Sequence, residues 1–476
     1  MDSNNSIPAT YLSSVKGNRM LIYNNFLYYK DKLVNNKMFF KCSEYSKLSC
    51  PARCQVVEDH IIKYTGEHNH LPNTSKINAR KALQALKDRA ITTSVSTQQI
   101  IGEIASVVNE STASQLPSIP CLTRTVQRCR QTNNALGPIP MQAIDIVIPE
   151  FLKVTLSNHQ FLNHDNIFLG RRILIFATEQ NIRLLMRSPH WFCDGTFKVC
   201  PPQFSQFYTI HGVFNQSILP LIYAFLPGKM QCDYRRLFHY ISGLHTFNPE
   251  TIMVDFEAAA INSLHEYFPN TRIRGCFYHF SQCLWRKIQS CAEVLSRYIN
   301  DEIFALNIRK LLSIAFVPPN DVIASFEQLT NFNFFNLNSE LLQPLMDYIE
   351  DNFIGRYLRP PQRRTPPFPH TLWNQYEAVQ THIARTNNNV EGWHNGFSRL
   401  VQSHHPDIYS FIKKLQLEQA KNELKITQLI SGMQNNSQRR IYRDVDERLE
   451  RVVSSYGSVS LEDYLTGLSH NLNYYI

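Results

Sequence analysis

Between residues 19 and 66 the chain runs in short apolar and aromatic stretches: "RMLIYNNFLYYK", "KMFFKC", "ARCQVVE" and "HIIKYTG". Asn, Asp and Gly break them. Aromatic and β-branched runs of this length, bounded by turn residues, predict strands of a small antiparallel sheet. Past residue 75 the period changes. "INARKALQALKDRAI" spaces Ala and Leu by three and four, "STQQIIGEIASVV" follows a Ser/Thr start signal, and "TRTVQRCRQ" is short and basic. These predict helices. The Gly and two Pro of "NNALGPIPMQ" then mark a boundary. From residue 190 three strand-like runs follow one another: "HWFCDGTFKV", "QFYTIHGVFN" and "ILPLIYAFLPG". "DYRRLFHYISGLHTF" has helical spacing. "ETIMVDFEAAAINSLHEYF" and "RIRGCFYHFSQCLWRKIQ" each read as a strand running into a helix.

The order β-β-β-α-β-α-β-α is that of an α/β RNase H-like domain, a mixed sheet with helices on its faces. Residues 285–380 then carry helix-like runs such as "LSRYINDEIFALNIRKLLSIAF" and "LLQPLMDYIEDNFIG", and predict a helical insertion. The Pro-rich, basic "LRPPQRRTPPFPHTLW" reads as an extended arm, either a plain linker or a contact to DNA backbone. "YSFIKKLQLEQAKNELKITQLI" reads as an exposed helix and a partner surface. The expected organisation is a small antiparallel sheet over 1–75 and a helical linker over 76–140, with a helix-turn-helix as one option. An RNase H-like core (first part 165–284), the insertion (285–380), a segment returning to the core (381–432) and a tail (433–476) complete it.

Composition narrows the class. With 476 residues, 43% hydrophobic and 18% charged, the chain can build more than one core and is not disordered. The polar start "MDSNNSIPATYL" has no apolar leader, and the longest apolar run is too short to span a bilayer. A soluble intracellular protein without a membrane partner is expected. Eleven dispersed cysteines then suggest thiols or metal ligands rather than a disulfide framework. The net charge is +9, and residues 1–90 hold 14 Lys/Arg against 7 Asp/Glu, so +7 lies in the first fifth of the chain. A basic end on a nearly neutral body points to a nucleic-acid-binding module.

Within that basic end stand Cys42, Cys50, His68 and His70. Two thiolates and two imidazoles suit tetrahedral zinc. A His-x-His pair on a strand would turn both rings to one face. Cys54 is an alternative to Cys50. The stretch resembles a FLYWCH-type zinc finger over about residues 10–70: Phe26, Phe40 with Cys42, Cys50 in "CPAR", and "HNH" at 68–70. Phe40 departs from the tryptophan usual in that family. The resemblance favours Cys50 over Cys54 and implies structural zinc and DNA binding.

In the RNase H-like order the first and fourth strands are neighbours. Asp194, in "FCDGTFK", and Asp255, 61 residues on, would then face one another. Two close carboxylates repel and call for a cation between them, and hard oxygen donors suit Mg²⁺ or Mn²⁺. Glu391, in "RTNNNVEGWHNGFSRLV", is the candidate third acid in the first turn of a helix, with His394 and Asn395 on the same side. The pieces "DGTFK", "DFEAAAINSLHEYFP", "GCFYHF" and "RTNNNVEGWHN" resemble the Mutator-like element (MULE) transposases. That resemblance implies a DDE site of Asp194, Asp255 and Glu391, with Cys276 and His279 beside it or near the DNA ends. It implies strand cleavage and strand transfer on element terminal repeats and target DNA. A homo-oligomer on DNA, no small-molecule substrate and nuclear residence are expected. A transposase-derived DNA-binding regulator without catalysis, and a nuclease that cuts without joining, are the alternatives. No Gly-x-x-x-x-Gly-Lys loop, Gly-x-Ser-x-Gly elbow or His-Glu-x-x-His motif offers another chemistry.

Overall fold

Three two-residue turns fold the first strands back on one another. Asn24–Asn25, Asn35–Asn36 and Glu58–Asp59 all take positive φ, between 45° and 64°. Two successive left-handed residues give the mirror-image hairpin turn whose twist matches that of the strands it joins, and Asn and Asp tolerate it best. The computed structural model describes residues 7–13, 19–93, 95–132, 140–359, 362–403, 405–433 and 440–472. The chain divides into two compact units, 1–139 and 140–476.

In the first unit the strands are β1 (Ile7–Pro8), β2 (Thr10–Ser13), β3 (Arg19–Tyr23), β4 (Phe26–Val34), β5 (Lys37–Cys42), β6 (Arg53–Val57) and β7 (His60–Thr65). They form one antiparallel sheet in the order β1-β7-β6-β5-β4-β3-β2. Leu21, Tyr28, Phe40, Cys42, Ala52, Cys54 and Val56 fill its core. Helices Thr74–Thr92, Thr97–Val107 and Ile119–Thr132 follow, the first two capped by the side chains of Asn73 and Ser96. Leu86, Ala90, Ile100, Leu122 and Val126 form their shared core.

The second unit is built on β8 (Leu162–Phe168), β9 (Arg171–Phe176), β10 (His190–Thr196), β11 (Gln206–Phe214), β12 (Ser217–Leu226), β13 (Thr251–Val254) and β14 (Arg272–Gly275). The sheet order is β14-β13-β10-β11-β12-β9-β8. β10, β13 and β14 run parallel, and the remaining neighbours are antiparallel. From residue 190 the elements follow the order read from the sequence, with helices Gln231–Leu244, Ala258–Tyr267 and Phe277–Ser290 between and after the last strands. The two strands before 190 extend the sheet beyond β12. The edge strand β8, "LNHDNIF", is largely exposed and polar, so its pattern carries little strand signal.

Three sequence readings change. Helix Ile408–Ile430 is not an exposed helix. It buries Ile408, Phe411, Ile412, Leu415 and Ile426, and Asn422 Nδ2 donates to the Pro220 carbonyl at 2.8 Å. Its long polar side chains hide this, because Gln419 is fully buried and hydrogen-bonded to Asn181 at 3.0 Å. Two of the three arginines of the basic arm are held by acids of the same unit: Arg364 by Asp351, and Arg363 by Glu327 and Glu350. The tail is a core element. Leu449, Val453, Tyr464, Leu465 and Leu468 share one cluster with Ile308, Leu312, Phe316 and Leu329 of residues 285–380.

Leu465 is fully buried in that cluster, so Leu465→Ala should destabilise the unit by about 2–5 kcal/mol. Leu417→Ala, at a side chain 46% exposed, should cost less than about 0.5 kcal/mol. Urea unfolding midpoints check this, and equal midpoints would show that the tail does not hold the cluster.

Candidate metal centre and acidic site

In the first unit Cys42 ends β5, Cys50 precedes β6, and both are buried. The histidines lie beyond β7, which ends at Thr65, so a shared strand face does not explain their pairing. The chain leaves the sheet at Gly66, with φ +79°, where a Cβ would lie 2.7 Å from the Pro51 carbonyl oxygen. Only glycine makes that close turn without strain. It brings His68 Nδ1 to 3.3 Å from Cys50 Sγ, His70 Nε2 to 3.2 Å from Cys42 Sγ, and the two nitrogens to 3.3 Å. Tetrahedral zinc with ordinary bond lengths needs about 3.3 Å between nitrogens and about 3.5 Å between nitrogen and sulfur. The four atoms fit that shape.

Their neighbours fix the rings. His68 stacks on Phe26 with ring centroids 3.4 Å apart, and its Nε2 meets the Tyr28 hydroxyl at 2.7 Å. His70 Nδ1 lies 3.1 Å from the Leu71 carbonyl, which leaves Nε2 free for a metal. Burial pushes the Cys42 thiol up to about 11, so metal must displace a proton there. Cys54 is buried in β6 and stands outside the group, whereas Cys50 belongs to it. Among the described residues this is the one group of three or more Cys, His, Asp or Glu that converges so closely.

The acids lie in the second unit. β10 pairs in parallel with β13, Phe192 against Met253. Continuing that register by two residues puts Asp194 level with Asp255, just past the strand's last residue, Val254. Both line a cavity of about 40 Å³, large enough for water. Glu391 sits in the first turn of helix Asn388–Val401. His279, on helix Phe277–Ser290, stands between two of the acids. Its Nδ1 is 2.8 Å from Asp255 Oδ1 and its Nε2 is 3.7 Å from Glu391 Oε1.

Burial, then the charge of Asp255, raises Asp194 to about 7, and burial raises Glu391. Burial opposes the charge on His279, yet Asp255 and Cys276 hold its pKa up at about 11. The two acids on either side of His279 thus favour its protonated form. Its contact with Asp255 is an ion pair by distance but not in hydrogen-bonding geometry. Asp255 Oδ1, His279 Nδ1 and Glu391 Oε1 are all buried without a hydrogen-bond partner. The three carboxylates do not converge as the zinc ligands do. Even so, two of them keep buried oxygens with unused lone pairs, the donor type of a hard cation.

His394 Nε2 lies 3.4 Å from Asp194 Oδ2 and 3.2 Å from the Thr209 hydroxyl, and burial lowers its pKa to about 4. Asn395 is exposed. Cys276 does not offer its sulfur to the acids. It accepts the Asn387 N–H at 3.2 Å, and Phe277 N–H donates to the Arg385 carbonyl at 2.9 Å. Asn387, fully buried, also donates from Nδ2 to the Cys193 carbonyl at 3.3 Å. These bonds dock the Glu391 helix and the His279 helix beside Asp194. Sequence reasoning missed Asn387, whose signal was the "NNN" run. It also missed Thr209 and His211, 3.0 Å apart, which with Gln206 are buried polar residues of β11. At the cavity mouth Lys229 lies 3.9 Å over the exposed Phe197 ring and 3.5 Å from Glu257.

Residues 11–70 match the FLYWCH zinc finger domain, and residues 190–283 match the MULE transposase domain. The second match includes Asp194, Asp255, Cys276 and His279 and stops short of Glu391. FLYWCH-type zinc finger-containing protein 1 of Mus musculus is 30% identical over 74 residues, 16% of this chain and 11% of that protein. Its Homo sapiens counterpart is 27% identical over 114 residues, 21% of this chain and 16% of that protein. The chain thus spans under a fifth of the length of these relatives.

Wild-type protein should carry one zinc per chain. Cys50→Ala should lose it, and Cys54→Ala should keep it while losing about 1–2 kcal/mol of packing. Metal analysis after gel filtration decides between them, and zinc lost only from the Cys54 variant would reverse the ligand assignment.

Proposed function

We propose that this protein is a DNA transposase. On this reading the zinc finger, residues 1–75, binds the terminal repeats of a mobile element, and residues 76–140 form a helical linker. An RNase H-like core, 165–284 with 381–432, cuts and joins strands, and 285–380 is a helical insertion into it. The observation that carries the reading is the β10–β13 register, which sets Asp194 beside Asp255 with the Glu391 helix docked against the same strand.

Asp194, Asp255 and Glu391 would hold Mg²⁺ or Mn²⁺, with buried oxygens of Asp255 and Glu391 that make no hydrogen bond and face only the His279 ring. When bound, such ions supply an activated water or 3′-hydroxyl and neutralise charge at the phosphodiester. The remaining work falls to the chain. Asn387 and Cys276 fix the angle of the Glu391 helix. His279 balances the charge of Asp255 and Glu391. His394 and Thr209 orient Asp194 from the other side. A nuclear protein acting as a homo-oligomer on DNA follows from this job. Among the described residues no helix is long and apolar enough to cross a membrane.

Full-length protein with Mg²⁺ or Mn²⁺ should nick, and then join, a duplex ending in the inverted repeats that flank its gene. Asp255→Asn should reduce both to background while leaving DNA binding intact. Undiminished nicking by Asp255→Asn would remove the acids from the mechanism. Nicked product without joined strands would reassign the protein to hydrolysis alone.

A further inference from the structure

One face of the N-terminal sheet is divided in two. Toward β3 it is covered, because Ile77 of helix Thr74–Thr92 packs on Met20 and Leu27. The same face continues across β4 to β7, where its side chains are open to solvent or half-buried. Register decides which of them stand together. Tyr29, Lys41, Arg53 and Thr65 form one row across four strands, and Lys32, Phe39, Gln55 and Lys63 form the next. Alternation along each strand turns Phe40, Cys42, Cys54 and Val56 to the core, so these rows must face out.

The rows combine cations with aromatic rings. Lys41 Nζ and Arg53 Cζ lie 5.4 Å and 4.5 Å from the Tyr45 ring, and Lys32 Nζ lies 5.5 Å from the Phe39 ring. Arg53 is also pinned, with Nη1 donating to the carbonyls of Cys50 and Ala52 at 3.0 Å and 2.9 Å. Asp31 meets Lys41 at 2.8 Å and offsets one of the four charges. Lys32 and Lys63 stand on strands three apart, about 14 Å at ordinary strand spacing. That is close to the roughly 12 Å width of a DNA major groove, so cations at both sides of the face can reach both phosphate backbones. Spaced cations with ring faces between them suit a polyanion that carries flat bases.

We infer that this open half-face, centred on Lys32, Lys41, Arg53 and Lys63 with Phe39 and Tyr45, is where the finger holds duplex DNA. The inference rests on the reading that the chain binds DNA. It leaves the zinc ligands untouched, since Cys42 and Cys50 point into the core.

The test is the salt dependence of binding to a fluorescein-labelled random-sequence duplex, using zinc-loaded full-length protein. Removing one cation that neutralises a phosphate lowers the slope of log K against log salt by about 0.9. The triple variant Lys32→Gln, Lys41→Gln, Lys63→Gln should lower it by about 2–3 with zinc content unchanged, and the matching Lys→Arg triple should restore it. A wild-type slope retained by the zinc-loaded Gln triple would place the site elsewhere while leaving DNA binding standing. Wild-type protein that binds no duplex would overturn both this inference and the reading beneath it. Tighter binding of RNA than of DNA, abolished in the same triple, would overturn the assignment of the ligand.

Discussion

Parallel pairing of β10 with β13 is the constraint on which the second unit turns. The two strands are distant in sequence and are joined only through a hairpin pair and a helix. Once paired, their register offset equals the spacing between Asp194 and Asp255, so the carboxylates come level at the end of the sheet. A slip of one residue would turn one acid into the opposite face. Such a slip is resisted by packing, since Trp191 and Cys193 fill the core on one face while Phe192 and Met253 meet Cys276 and Val390 on the other. The apolar layers fix the register, and the register fixes the acids.

The consequence of that register is electrostatic. Carboxylates drawn together out of water raise one another's proton affinity and share the cost of burial, and Asp194 shows both effects. His279 stands between Asp255 and Glu391, and its protonated form would offset one of their charges. A single imidazolium cannot satisfy three acids, and buried oxygens left without a partner are expensive. Such an arrangement persists only where the surroundings hold it in place. Asn387 does so, tying backbone and side chain to Cys276 and Cys193 so that the Glu391 helix cannot back away.

Much of this is legible in the sequence because it is local. Paired Asn and Asp at hairpin turns, aromatic strands and the change to helical spacing after residue 75 all act over a few residues. The strand order from 190 is readable from alternating strand and helix patterns. The zinc ligands are legible as a set, but the reason for their convergence is not. The turn at Gly66, rather than a shared strand face, joins them, and that depends on Pro51 being packed alongside. The misses share a cause. The burial of helix Ile408–Ile430 and the docking of the tail depend on partners more than a hundred residues away. Asn387, Thr209 and His211 look like ordinary polar residues until the sheet and two helices enclose them. A polar residue in a buried position carries no local signal of what it binds.

The two groups of polar side chains are arranged on opposite rules. In the finger, soft donors converge at tetrahedral distances, each ring is fixed by a second partner, and no ligand position is left for anything else. That closed geometry suits a metal that holds a small sheet together, since so few residues cannot bury enough apolar surface unaided. At the acids the donors are hard, and only Asp194 and Asp255 line the small cavity, with Glu391 reached through His279. An open cluster whose acids outnumber the histidine between them gains little for folding. On the proposed reading it makes physical sense, because a cation and a phosphate arriving together would balance the charges of the acids, the ion and the substrate.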